Sequence, residues 1–258
     1  MKHWYCWLLA VLLCLAMVCC KPLLEQQMAV SAIDAAIITV DALEQGKTKI
    51  HLYAPDIDQD ALFRAVESIW PYACTMQLTI YHNGMVEIAL GVEDSARQQQ
   101  ALTLAKGMAA QAVDGLTEDT DKLLALHDLL VRSCVYDLPT AEAVSAVDGA
   151  SVPFTAYGAL VNGKAVCAGY SRAFVLLCQA AGLDAIYIAD TGMNHGWNAV
   201  RLEGVTYFID CTFDDPVPDQ GEYVSHEYFL RPTAAFETTH TWDKEFYEQV
   251  MDAKWGKT

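Results

Sequence analysis

Alternating apolar and polar residues predict six short β-strands, three in each half of the chain. In the first half, Asn83-Gly84 separates two of them, and this dipeptide between apolar runs is a strong hairpin signal. In the second half, Glu203-Gly204 makes a tight turn, so the strands on either side pair as an antiparallel hairpin. The predicted strands cover residues 47–53, 76–81, 85–90, 184–189, 197–202 and 205–209.

Apolar residues at intervals of three or four positions predict four helices. Thr117 or Thr120 is the expected N-cap of the third helix, and Gly182 is the expected stop of the fourth. Residues 138–153 are small, polar and bounded by proline, so we expect a loop there. The predicted helices cover residues 58–70, 94–115, 167–181 and a segment that ends near residue 135.

The first twenty residues have the layout of an export signal. Lys2 precedes an apolar run of about 15 residues, the size of a secretory signal and short of a full membrane span. The motif Val18-Cys19-Cys20 leaves three fates open: cleavage, lipid attachment or an uncleaved membrane anchor. We therefore expect an exported protein, extracellular or membrane-anchored on the outer face, that contacts the membrane only through residues 1–20.

Beyond this segment, the candidate chemistry is confined to the second half of the chain. Residues 21–116 show strand and helix patterns but no catalytic motif, and they are predicted to form a small α+β region. Residues 117–258 are predicted to form the domain that carries the chemistry. No internal repeat, low-complexity tract or long linker marks the junction.

Composition and charge exclude two broad classes of protein. Of the 258 residues, 53% are hydrophobic and 19% are charged, which excludes a disordered chain. The formal net charge of −17 would repel a nucleic-acid backbone, so nucleic acid is not an expected partner. The oligomeric state stays open.

The cysteines beyond the export segment suit an exported protein without a metal centre. Their odd number leaves at least one thiol without a partner in the same chain. None forms a C-x-x-C motif, which argues against a structural zinc site, and we predict no cofactor and no metal ligand. Most are expected to be small buried residues. They are Cys74, Cys134, Cys167, Cys178 and Cys211.

Cys167 has a different prediction, because the Asn162-Gly163 turn delivers it to the first turn of the fourth helix. Unpaired N–H groups and the positive end of the helix dipole favour a thiolate at that position. The register of the second hairpin places His195 opposite the residues around Asp210. If the helix start packs against this edge, the three side chains supply a nucleophile, a base and an orienting acid.

Three segments around these residues resemble the transglutaminase-like superfamily. They are residues 157–171, the His195-Gly196-Trp197-Asn198 box and the Tyr207-Phe208-Ile209-Asp210 box. The resemblance extends over roughly residues 117–243. It implies a papain-like α+β core, with the nucleophile at a helix N-terminus packed on an antiparallel sheet, and a triad of Cys167, His195 and Asp210. Ala168 and Cys211 depart from the residues that are usual in the family.

The resemblance implies thiol-dependent acyl transfer or hydrolysis on peptide or carboxamide bonds. The substrate it implies is a protein or peptide, with cell-wall peptide among the options. A cysteine peptidase or amidase ranks slightly above an amine-accepting transglutaminase, because nothing in the chain marks an amine site. The Cys167 N–H is one expected oxyanion donor, and Tyr136 and Tyr157 are candidates for the second. The rival hypothesis is a non-catalytic surface module that uses the same fold for binding. A metal-dependent hydrolase is disfavoured because the H-E-x-x-H motif is absent.

The other notable polar residues of this half are expected to have no catalytic or metal-binding role. Asp214, Asp215 and Asp219 surround two prolines, and a solvated loop is expected there rather than a Ca²⁺ site. His226 and His240 are expected to be structural.

Overall fold

The computed structural model describes residues 27–92, 94–143 and 151–256 of the chain. The predicted export segment at residues 1–20 lies outside the described residues. Among the helices within these ranges, none combines the length and the apolar character needed to cross a membrane.

The described strands form two four-stranded sheets and one two-stranded ladder. The strands of the first sheet are Gln27–Met28 (β1), Lys49–Tyr53 (β2), Cys74–Ile80 (β3) and Met85–Val92 (β4), in the order β1-β2-β4-β3. The two-stranded parallel ladder joins Val135–Tyr136 (β5) to Lys164–Ala165 (β6). The strands of the second sheet are Ala185–Asp190 (β7), His195–Leu202 (β8), Val205–Ile209 (β9) and Arg231–Pro232 (β10), in the order β10-β9-β8-β7.

The helices flank these sheets on the described part of the chain. In the first half they are Ala32–Glu44 (α1), Gln59–Ile69 (α2) and Ser95–Ala112 (α3). In the second half they are Asp119–Ser133 (α4), Leu138–Ala141 (α5), Ala156–Leu160 (α6), Cys167–Ala180 (α7), Thr233–Phe236 (α8) and Lys244–Trp255 (α9), with a 3₁₀ turn at Val152–Phe154. The fold class is α+β, as predicted, with Cys167 as the first residue of α7 and the antiparallel second sheet packed against that helix.

All six predicted strands are present, and both hairpins have the predicted turn. Ile80 pairs with Val86 across the first turn, and Leu202 pairs with Val205 across the second. The pattern does not predict α1, because its sequence is apolar on nearly every side and shows no clear period. Ser31 begins this helix by accepting a hydrogen bond from the Asp34 N–H.

Two local predictions in the second half are wrong. The N-cap of α4 is Glu118, which makes no side-chain capping bond, so neither Thr117 nor Thr120 caps the helix. Residues 138–153 are not simply a loop, since α5 and the 3₁₀ turn lie within them and residues 144–150 lie outside the described ranges. Asp137 caps α5 through its side chain, a local signal that the composition of the segment obscures.

Two hydrophobic clusters fill the interior, and neither follows the predicted boundary after residue 116. The first cluster joins α1, α2 and the first sheet to α9 and to Ile186, Ile188 and Trp197 of the second sheet. The second cluster surrounds α7, and it includes Ala101 and Ala105 of α3. Whether residues 21–116 fold as a separate unit stays a prediction.

Candidate active site

The N-terminus of α7 is held in place by the segment that precedes α6. The Val166 N–H donates to the Pro153 carbonyl at 3.0 Å, one residue before Cys167. Gly169, in the first turn, passes so close to the same carbonyl that a Cβ there would lie 2.5 Å from it. Gly163 turns the chain into β6 with φ of +65°, a conformation that favours glycine. Cys167 is thereby fixed, half-buried, at the start of a long helix.

His195 and Asp210 are brought together by the hairpin register, as the sequence predicts. The β8–β9 ladder pairs Asn198 with Ile209, so Asp210, the residue after β9, lies near the start of β8. The His195 Nε2 and the Asp210 Oδ2 are 2.6 Å apart. Because this contact occupies Nε2, Nδ1 is the ring nitrogen that remains for Cys167, whose proximity helps to raise the pKa of His195.

The charge of Asp210 is stabilised by an unusually complete set of donors. Its Oδ1 accepts from the Thr212 N–H, the Thr212 hydroxyl and the Phe213 N–H at 3.0, 2.6 and 3.1 Å. Burial opposes ionisation of this carboxyl, but hydrogen bonds from His195, His240 and Thr212 hold its pKa well below its usual range. Asp210 is therefore a buried carboxylate at neutral pH.

The imidazole of His195 is stabilised in its charged form. Burial alone would lower its pKa, but the hydrogen bonds to Asp210 and Cys167 outweigh burial and raise the pKa to about 10. Phe213 stacks on the ring with centroids 4.7 Å apart and is itself 45% exposed, so one face of His195 lies close to solvent.

His240 is a part of the site that the sequence does not reveal. Its Nε2 lies 3.0 Å from Asp210 Oδ2, the same oxygen that His195 contacts. The Thr239 hydroxyl lies 2.9 Å from its Nδ1, and Phe236 stacks on its ring at 3.9 Å. The loop from 237 to 243 brings this side chain back to the sheet, and no periodicity or spacing in the sequence signals that return.

Only one of the two tyrosines proposed as oxyanion donors lies beside Cys167. Tyr136 lies near Cys167, and burial raises the pKa of this tyrosine to about 12, so its hydroxyl stays protonated. Tyr157 instead contacts Arg97, whose guanidinium carbon lies 5.6 Å from the centroid of the tyrosine ring. The β5–β6 ladder explains the difference, because it pairs Tyr136 with Ala165, two residues before Cys167.

Trp197 and Asn198 take the structural roles that their strand positions allow. Trp197 is fully buried and contacts His240 edge-on, with centroids 4.8 Å apart. Asn198 donates to the carbonyls of Ser171 and Ile186, which ties β8 to α7 and β7.

The prediction of a solvated loop at Asp214 and Asp215 is wrong. Asp214 is fully buried and accepts from the Tyr228 N–H at 3.0 Å, and Asp215 accepts from the Tyr170 hydroxyl at 2.5 Å. Burial raises the pKa of Asp215 to about 6. Only Asp219 of the three is exposed. The chain turns inward after β9 because these carboxylates find buried donors, which the local sequence does not show.

Two groups of side chains within the described ranges offer converging metal-ligand atoms. One is His195, Asp210 and His240, in which both imidazoles already hydrogen-bond the carboxylate. The other is His127, Asp128 and His226, which lies outside the site described above. All five described cysteines are free thiols.

Comparison with known protein families finds a match that includes the candidate site. The sequence model of the transglutaminase-like superfamily matches residues 106–231, which include Cys167, His195 and Asp210. No curated protein matches the chain significantly.

Three solved structures are similar to this one. The "crystal structure of a TGase" shares 16% identity at a TM-score of 0.39, over 64% of this chain and 50% of that one. The "putative cysteine protease from Cytophaga hutchinsonii" shares 13% identity at 0.35, over 59% of this chain and 66% of that one. The "putative protease from Parabacteroides distasonis" shares 11% identity at 0.30, over 62% of this chain and 39% of that one. At these scores the likenesses carry no argument about function.

Proposed function

Because residues 106–231 belong to the transglutaminase-like superfamily, we propose that the protein performs thiol-dependent acyl transfer or hydrolysis on peptide or carboxamide bonds. The proposed catalytic residues are Cys167, His195 and Asp210. One observation carries the proposal: a 2.6 Å contact joins His195 Nε2 to the buried carboxylate of Asp210, which leaves the other ring nitrogen for Cys167.

In the first half of the reaction, the sulfur of Cys167 attacks the carbonyl carbon of the substrate. His195 holds the thiol proton, and Asp210 fixes the ring so that Nδ1 faces the sulfur. As the tetrahedral intermediate collapses, His195 gives that proton to the leaving amine or ammonia. The products are a thioester on Cys167 and the released amine.

Two donors are available for the oxyanion of that intermediate. The backbone N–H of Cys167 is at the N-terminus of α7, and the protonated hydroxyl of Tyr136 lies near the same residue. Both groups can donate to a substrate oxygen that is placed between them. Preorganised donors of this kind each contribute roughly 10²–10³ in rate.

In the second half, water or an amine attacks the thioester while His195 accepts its proton. Hydrolysis is the favoured outcome, because no residue of the site marks a place for an amine. A peptidase or amidase is therefore proposed ahead of an amine-accepting transglutaminase.

The first test measures alkylation of each thiol by iodoacetamide between pH 5 and 10, using peptide mass spectrometry. We expect Cys167 to react rapidly at acidic pH in the wild type and to lose this reactivity in His195→Ala. Cys74 is the internal control, because burial raises its pKa to about 11 and it should react only in alkaline solution. If Cys167 shows the same alkaline profile in both proteins, the catalytic proposal is wrong and the binding module becomes the better hypothesis.

A second test separates the two acceptors. Glutamine-containing peptides are incubated with the protein, with and without a primary amine, and the masses of the products are measured by mass spectrometry. Cleavage or deamidation without amine incorporation supports the hydrolase, and a peptide–amine adduct supports the transglutaminase. Cys167→Ser should abolish either product.

A further inference from the structure

Outside the proposed active site, three ligand atoms of α4 and of the segment after residue 220 converge. Asp128 Oδ1 lies 3.2 Å from His127 Nδ1 and 2.7 Å from His226 Nε2. The ligand atoms of the three side chains all lie within 4.8 Å of one another. A carboxylate oxygen and two imidazole nitrogens this close together form the donor set of many transition-metal sites.

The ring nitrogen of His127 that points away from Asp128 contacts a second carboxylate. The Nε2 of His127 faces Asp214 Oδ2 at 3.2 Å, and both side chains are completely buried. Metal binding requires the tautomer in which the proton is on Nε2 and directed at Asp214, because Nδ1 then has a lone pair for the ion. This carboxylate–histidine arrangement commonly orients a metal-binding imidazole and increases its basicity.

The two carboxylate oxygens of Asp128 likewise have different partners. Its Oδ2 accepts from Arg132 at 2.9 Å, one helical turn further along α4. The other oxygen, Oδ1, is left for the two imidazoles. The guanidinium therefore neutralises the side of the carboxylate that points away from the convergence point.

We propose that His127, Asp128 and His226 form a binding site for a divalent transition-metal ion of the Zn²⁺ class. Two imidazoles and one carboxylate leave at least one coordination position for water or another ligand. His226 is 45% exposed at its side chain, so the ion has an entry path from solvent. Hard cations such as Ca²⁺ and Mg²⁺ prefer all-oxygen ligands and suit this site poorly.

The site would connect two distant parts of the chain beside the proposed active site. Asp214 accepts from the Tyr228 N–H, and the Tyr228 carbonyl accepts from the Asp210 N–H at 3.1 Å. An ion bound to His226 and to α4 would therefore brace the strand edge that carries Asp210. This role does not depend on the proposed function, because it concerns binding and stability.

The test uses the full chain carrying Cys167→Ser, which removes the thiol of the proposed active site as a competing zinc ligand. After treatment with EDTA, the protein is dialysed against ZnCl₂, and bound zinc is measured by mass spectrometry. His226→Ala is made in this background. His51→Ala is the matched control, because His51 is an exposed histidine that also contacts a carboxylate, Glu87, on the first sheet.

We expect saturable zinc binding that is weakened at least about tenfold by His226→Ala and is unchanged by His51→Ala. Zinc should raise the Tm of the reference protein and of His51→Ala but not of His226→Ala, while Ca²⁺ should raise none of them. Co²⁺ should give ligand-field bands without a thiolate charge-transfer band. Absence of saturable zinc binding, or equal binding after His226→Ala, would overturn the proposal.

Discussion

At the scale of single residues, the carboxylate of Asp210 is tightly constrained. It is 1% exposed and accepts hydrogen bonds from two imidazoles on Oδ2 and from three donors on Oδ1. Orienting one imidazole needs a single such bond. The additional donors reduce the basicity of the carboxylate, and this sets how strongly it holds the proton of His195.

The first prediction concerns His240 as a positioning residue. His240→Leu should lower kcat about tenfold, because a hydrogen bond to a charged group is worth roughly 1.5–3 kcal/mol. With one donor fewer, Asp210 becomes more basic, so the basic limb of the pH–rate profile should move to higher pH. The profile is measured on whichever peptide substrate the activity assays identify.

His240→Gln is the control, because its amide N–H₂ can still reach Asp210. It should recover most of the rate and the original pH profile. If both variants lose Tm equally and neither shifts the profile, His240 has only a structural role.

The second prediction is a pH dependence of stability that belongs to His195. Its pKa is about 10 in the folded protein and about 6.5 in an unfolded chain. A group whose pKa is raised on folding contributes its full stabilisation below the unfolded pKa and loses it as the pH rises through the folded value. The difference in free energy of unfolding between wild type and His195→Gln should therefore shrink from pH 6.5 to pH 10.

Urea denaturation at a series of pH values measures this difference, with His51→Gln as the control for an exposed histidine. A difference that grows with pH would contradict the assignment of His195 as a protonated partner of Asp210.

At the scale of elements, the position of α7 decides where the nucleophile lies. The helix starts at Cys167, and no side chain caps it. It is fixed instead by contacts with the segment before α6: the Val166 N–H bonds Pro153, and Arg172 donates to the Phe154 carbonyl at 3.0 Å and pairs with Glu67 of α2. The helix start is therefore held by tertiary contacts.

The third prediction uses a glycine of this helix. In Gly169→Ala, the new Cβ would lie 2.5 Å from the Pro153 carbonyl oxygen and 2.7 Å from the Ala165 Cβ. We expect a loss of about 1–3 kcal/mol in the free energy of unfolding, together with slower alkylation of Cys167 at acidic pH. Urea denaturation and peptide mass spectrometry measure the two effects.

Gly107→Ala in α3 is the matched control. A Cβ there meets nothing within 4 Å, so the substitution should stabilise the protein by about 0.5–1 kcal/mol through helix propensity alone. Equal effects of the two substitutions would show that the approach of α7 to Pro153 is not constrained.

At the scale of the whole molecule, the first sheet and its helices are packed onto the sheet that carries His195. Ile186, Ile188 and Trp197 are fully buried in a cluster shared with α1 and α2. The ion pair between Glu67 and Arg172 crosses the same junction. The first half of the chain therefore packs against the sheet that carries His195.

The fourth prediction follows from this shared core. Urea unfolding of the full chain should give one transition, with coincident midpoints by tryptophan fluorescence and by far-UV circular dichroism. A chain that begins at residue 94 exposes the three side chains just named, so it should aggregate or unfold without cooperativity. Two separate transitions, or a cooperative truncated chain, would instead support independent folding of residues 21–116.

Local patterns in the sequence determine most of the elements and one half of the site. The Glu203-Gly204 turn sets the register of its hairpin, and that register brings His195 to Asp210, because pairing along a hairpin depends on the turn. The sequence also predicts Cys167 at a helix start, although tertiary contacts hold that start in place.

Only the tertiary structure decided the surroundings of these residues. His240 and Tyr136 reach the site from segments far away in sequence, and Asp214 is buried because distant donors meet it. Contacts of this kind arise from packing between elements, and packing leaves no period or spacing along the chain. Hydrogen bonds within a hairpin are local and can be predicted from the sequence, whereas the side chains that converge from separate elements depend on how the whole core closes.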